Sequence, residues 1–106
     1  MPKEIERLLE KLKSGLKQIY GEQFKAAYLF GSYARGDYDP DSDIDVLIVL
    51  SDFEKYGAEL KRTSVLIGSL SLEYGTIVSV IFVRQQEWQM DKLPLLLNIR
   101  TEGVAL

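Results

Sequence analysis

The sequence predicts an α/β (α+β) fold, a short β-sheet of three or more strands flanked by helices. Three observations carry that prediction. Two long segments, 3–20 and 53–74, repeat apolar residues at steps of three and four, the spacing of one helix face. Three short segments, 25–30, 44–50 and 76–83, are apolar and drawn largely from β-branched and aromatic residues, as strands are. Helical and strand patterns alternate along a chain of 106 residues, which is enough for one modest core. No repeat, low-complexity tract or linker interrupts the pattern, so residues 1–106 are read as a single domain.

Taken in order, Ile5, Leu8, Leu9, Leu12, Leu16 and Ile19 line one face of the first helix, and Gly21 follows as a stop. Lys25 to Phe30 read as a short buried strand ending at Gly31-Ser32, where a turn or short helix opens. Residues 33–42 are polar and turn-rich. Ile44 to Leu50 are almost wholly apolar, as in a central strand covered on both faces. Tyr56, Leu60, Thr63, Ile67, Leu70 and Tyr74 define the face of the next helix, closed by Gly75. Residues 76–83 form a third strand and 85–101 a helical region, with Pro94 kinking it or starting a new helix. The apolar run Leu93, Leu95, Leu96, Leu97 and Ile99 is assigned to the core.

Composition removes whole classes of chemistry. The chain has no cysteine and no histidine, so it has no disulfide, no Cys/His zinc site and no imidazole base. Catalysis must rest on carboxylates, lysine or arginine, hydroxyls, backbone amides and a metal held by oxygen. The longest apolar run, Val46 to Leu50, is five residues, far short of the ~20 a membrane helix needs. With no export signal and no cysteine, a cytoplasmic location is expected. A net charge of −3 argues against an anionic membrane surface or strong direct nucleic-acid binding. The negative charge is concentrated: Asp37 to Glu54 holds seven acids and no base, while the remainder carries nine acids against thirteen bases.

Within that acidic segment, Asp43 and Asp45 stand two apart at the start of a strand, so their side chains share a face. Paired carboxylates repel unless a cation lies between them, and a hard divalent ion, Mg²⁺ first, suits an all-oxygen site open to water and phosphate. Upstream, Gly31-Ser32 ends one strand. Glycine permits close approach of phosphate to the backbone, where amides and the serine hydroxyl donate, and Arg35 adds a positive charge about one turn on. A phosphate-binding turn beside paired carboxylates is suited to phosphoryl or nucleotidyl transfer. Two other motifs fail on inspection. Gly31 to Gly36 has P-loop glycine spacing, but Asp37-Tyr38 follows where Lys and Ser/Thr are required. The Asp37/Asp39/Asp41 series lacks the glycine and the terminal glutamate of a calcium loop, with Ser42 and Ile48 in those places.

Gly31-Ser32, ten residues, then Asp43-Ile44-Asp45 resembles the signature of the DNA polymerase beta-type nucleotidyltransferase superfamily. The run GSYARGDYDPDSDIDVLIVL is similar to its minimal nucleotidyltransferases, and the ending Asn98 to Val104 to the way such chains close. The resemblance implies a short mixed sheet of the nucleotidyltransferase fold. It implies that Gly31 and Ser32 hold the triphosphate of an NTP, ATP first, and that Asp43 and Asp45 bind Mg²⁺ and serve the transfer of NMP to an acceptor hydroxyl. It further implies a separate partner, most often a helical HEPN protein encoded nearby, toward which the nucleotidyltransferase acts as antitoxin. One departure stands out. Ser79 occupies the place where the family commonly carries a third carboxylate on the next strand, and a neutral hydroxyl is a poor base or metal ligand. Glu73, Glu87 or a partner are the candidate replacements. Without one, the chain is a binding module that retains the fold and sequesters its HEPN partner.

Overall fold

The computed structural model describes residues 1–90 and 92–106. Helix α1 (Lys3–Tyr20) leads through one 3-10 turn (Gly21–Gln23) into strand β1 (Phe24–Phe30). A single helical turn, α2 (Ser32–Arg35), precedes β2 (Ile44–Leu50), α3 (Tyr56–Tyr74) and β3 (Val78–Arg84). Two short helices, α4 (Gln85–Met90) and α5 (Pro94–Glu102), and a two-residue strand β4 (Val104–Ala105) complete the chain. The sheet is mixed, in the order β3-β2-β1-β4. Strand β1 runs antiparallel to both β2 and β4, and β2 runs parallel to β3.

Strand β2 lies inside the sheet with helices over both faces, which explains its nearly unbroken apolar sequence. Its even-numbered residues, Ile44, Val46, Ile48 and Leu50, pack with α1 and α3 in the larger core cluster. Its odd-numbered Leu47 and Val49 join Val83, Leu96 and Ile99 in a second cluster under α5. Each of these side chains contributes ~1.5–3 kcal/mol by leaving water. Trp88 closes the second layer. It lies 5.0 Å from the Tyr28 ring and beneath the Arg100 guanidinium at 4.7 Å, so α4 and α5 are tied to the sheet by the same indole.

The helix faces differ from the apolar spacing in instructive places. In α1 the buried set ends with Tyr20, and Ile19 faces solvent. Tyr20 gains its place because its hydroxyl donates to Glu59 Oε1 at 2.8 Å, satisfying a buried polar pair. Glu59, only 6% exposed, is therefore on the buried side of α3, while Tyr56 and Leu60 are exposed. Helix α3 starts at Tyr56 and not at residue 53, because Phe53 packs as part of the loop against Phe82. The third strand likewise begins at Val78, two residues later than its sequence pattern. The 85–101 region is two helices, with Pro94 opening the second, where its missing N–H costs nothing. Position 91, inside that region, lies outside the described residues. Of the C-terminal apolar run, only Leu96 and Ile99 enter the core; Leu93, Leu95 and Leu97 are exposed.

The outer edge of β3 is partly capped by side chains. Val78 N–H donates to Ser71 Oγ (3.3 Å), Phe82 N–H to Tyr56 Oη (3.1 Å) and Arg84 N–H to Glu87 Oε1 (3.0 Å). Among the described residues no helix is long and apolar enough to cross a membrane.

Candidate active site

The residues singled out by sequence meet where β1 ends and β2 begins. Antiparallel pairing sets Phe30 opposite Asp45, so Gly31 follows directly beside that aspartate. Gly31 adopts φ 77° and ψ −156°, a conformation essentially reserved for glycine. A Cβ built on Gly31 would collide with Asp45 Oδ2. The glycine is thus required twice, by its dihedral angles and by the carboxylate lying against it.

The turn after Gly31 is held by backbone bonds. Arg35 N–H donates to the Gly31 carbonyl (3.1 Å), and the N–H groups of Gly36 and Asp37 both donate to the Ser32 carbonyl. Gly36, at φ 83°, supplies the left-handed residue that ends the turn after one cycle. The first amides of the turn have no carbonyl a turn earlier to receive them, which leaves them for a ligand. Tyr33 is buried beneath the turn and stacks on Tyr38 at 4.4 Å, anchoring the acidic loop. Asp39 folds that loop on itself, accepting from Asp41 N–H at 2.8 Å while Ser42 Oγ accepts from Asp39 N–H at 3.0 Å. Tyr28, against Trp88, and Tyr33, against Tyr38, are thus packing residues.

Asp43 is exposed and Asp45 half-buried on the α5 side of the sheet. Among the described residues, neither carboxylate has a hydrogen bond or salt bridge. Burial pushes the Asp45 carboxyl above its ordinary range, the Asp43 charge pushes it the same way, and Arg35 opposes both. Two unpartnered carboxylates of like charge, one of them partly desolvated, fit a cation as the group that would relieve them. Arg35 itself is exposed and pairs with Asp37 at 3.2 Å. Ser32 Oγ has no protein partner among the described residues.

Ser79 stands beside Asp45 in the parallel β2–β3 register and on the same face. Neither glutamate considered as its replacement lies there. Glu73 binds Lys11 of α1 at 2.5 Å, in the other helical layer. Glu87 holds Arg84 at the opposite end of β3, five residues or about 16 Å along the strand from Ser79. Among the described residues no three acidic side chains converge to cage a metal.

A cleft of about 230 Å³ opens next to Gly31, between the end of β1 and α5. Phe30, Leu95 and Ile99 give it apolar walls, and Arg35, Asn98 and Glu102 polar ones. Sequence spacing did not single out Asn98 or Glu102. Besides their place in the closing segment Asn98 to Val104, their local signal is a shared helical stripe with Leu95, at steps of three and four, more than sixty residues from Gly31.

Residues 9–102 match the family model for the nucleotidyltransferase domain. The chain belongs to that family. Relatives of this nucleotidyltransferase include two proteins of Methanocaldococcus jannaschii. One, named "Putative protein adenylyltransferase MJ0604", is 40% identical over 95% of this chain and 96% of its own length. MJ0141 bears the same description and is 33% identical over 77% of this chain and 82% of its own. Among solved structures, a toxin–antitoxin with AMP-PNP superposes at a TM-score of 0.65 with 21% identity, covering 91% of this chain and 69% of that one. The toxin–antitoxin MntA-HepT superposes at 0.55 with 18% identity, covering 92% and 68%. At such identities the likeness is one of fold.

Proposed function

We propose that this nucleotidyltransferase transfers the AMP of ATP to a hydroxyl of a partner protein, and that the partner is a helical HEPN-type toxin for which the chain is the antitoxin. The observation that carries the proposal is the contact between Gly31 and the Asp45 carboxylate, which brings a phosphate-accepting turn and a cation-accepting pair to one point. The names of the M. jannaschii relatives support adenylylation of protein, and the structural neighbours support a toxin as acceptor.

In this account the amides at Gly31 and Ser32, with Ser32 Oγ, hold the triphosphate, and Arg35 turns from Asp37 toward phosphate oxygen. Asp43 and Asp45 would hold Mg²⁺, which would neutralise phosphate charge during the transfer. The acceptor oxygen forms a bond to the α-phosphorus while the bond to the β-phosphate bridge breaks, and pyrophosphate leaves. The acceptor's proton has no carboxylate at Ser79 to receive it, so it passes to solvent or to a group on the partner.

That last point favours a second account. With serine at this position the chain holds nucleotide and metal weakly and works by binding the toxin alone. Incubation with ATP labelled at the α-phosphate, Mg²⁺ and the neighbouring gene product separates the two. Label on the partner, lost in Asp43→Asn with Asp45→Asn, supports transfer. A stable complex without label, indifferent to those substitutions, supports sequestration.

A further inference from the structure

We infer that the cleft between Gly31 and α5 receives the nucleobase of the substrate, and that Asn98 and Glu102 select adenine by its exocyclic amino group. The inference rests on the nucleotidyl-transfer account of the neighbouring carboxylates and adds the residues that choose among nucleotides. Gly31 and Arg35 line both the phosphate turn and this cleft, so the cleft begins where the triphosphate would end. At about 230 Å³ it is smaller than the roughly 300–1,000 Å³ that a whole drug-sized ligand occupies, and suits one end of a nucleotide. From Leu95 to Glu102 the helix rises about 10 Å, the span of a nucleoside.

The walls match a flat heterocycle. Phe30 presents an aromatic ring and Leu95 aliphatic surface, over a floor formed by the buried Ile99, and any base packs against such walls. Discrimination therefore falls to the polar side chains. Asn98 and Glu102 lie one helical turn apart on the cleft side of α5. Among the described residues neither side chain has a hydrogen-bond or ion-pair partner. A carboxamide matches adenine twice, accepting from N6–H and donating to N7. Glu102, ionised, only accepts. It takes the second N6 hydrogen of adenine, whereas the O6 of a guanine in the same pose would face a carboxylate and be rejected.

Calorimetric titration with Ca²⁺ in place of Mg²⁺, to hold the reaction back, tests this with ATP, GTP and inorganic tripolyphosphate as ligands. The unaltered protein is expected to bind ATP at least tenfold tighter than GTP. Asn98→Ala should weaken ATP about tenfold and leave tripolyphosphate unchanged, with the thermal midpoint confirming an intact fold. Glu102→Gln, whose amide can donate to O6, should raise GTP affinity several-fold relative to ATP. Equal affinity for ATP and GTP, tighter GTP, or ATP binding indifferent to both substitutions overturns the base-reading role while leaving nucleotidyl transfer standing. Absence of binding by ATP and tripolyphosphate alike overturns the transfer account and this inference together.

Discussion

Gly31→Ala probes the point on which the site turns. At φ 77° and ψ −156° an alanine is strained by ~2 kcal/mol. Alanine recovers ~0.7 kcal/mol of that by restricting the unfolded chain. Its methyl also displaces Asp45 Oδ2, and forcing that short side chain off its rotamer costs ~1 kcal/mol. The net loss is about 2 kcal/mol, which for a domain of this size lowers the melting midpoint by roughly 8–16 °C. The two contributions separate in a double-mutant cycle. With Asp45→Ala as background the displaced oxygen is gone, so Gly31→Ala should cost ~1 kcal/mol less there. Urea unfolding of the four proteins without divalent metal measures the coupling. Equal costs in both backgrounds, within about 0.3 kcal/mol, would show that glycine and carboxylate do not touch, and the spatial basis of the site would go with them.

Three further outcomes follow from the same structure. Because the folded Asp45 carboxyl titrates above its unfolded range, its contribution favours folding at low pH and turns against it as pH rises through the carboxylate range. Asp45→Asn should therefore raise the metal-free melting midpoint at pH 7 and remove the loss of stability that ionising Asp45 adds as pH rises above the ordinary aspartate range; a lowered midpoint at pH 7 would contradict the repulsion. Ser79→Asp places a third carboxylate beside Asp45, and should raise transfer to the partner by about tenfold or more where the missing base is limiting; labelled transfer unchanged in a folded variant would remove that explanation. Tyr20→Phe deprives Glu59 of the hydroxyl that satisfies it, and should cost ~1–3 kcal/mol in urea unfolding; a loss below ~0.5 kcal/mol would mean the pair is solvated.

Strand β2 was legible because two-sided burial demands continuous apolar residues, and the proximity of Asp43 to Asp45 follows from their spacing at its start, although the strand itself begins at Ile44. Gly31 was legible as a turn, but its contact with Asp45 depends on the β1–β2 register, which sequence patterning left open. The buried Glu59 was not legible at all. Apolar spacing treats glutamate as solvent-facing, and its burial is made tolerable by the hydroxyl of Tyr20, 39 residues away, together with the Arg62 guanidinium at 3.7 Å. Strand β4 escaped notice because two residues carry no period, and its pairing with Tyr28 and Leu29 is wholly non-local. Asn98 and Glu102 were legible only as part of the closing segment Asn98 to Val104, because the cleft they line depends on what α5 covers.

The stopper side chains along β3 decide how this protein can meet its own kind. An incoming extended segment seeks a row of unclaimed amides, and at Val78, Phe82 and Arg84 each is already taken by a hydroxyl or carboxylate. Intermolecular ribbon growth is discouraged on that flank, and on the opposite margin the two residues of β4 cover β1 at Tyr28 and Leu29. Three ordinary side chains thus cover most of the edge on which another extended chain would otherwise add.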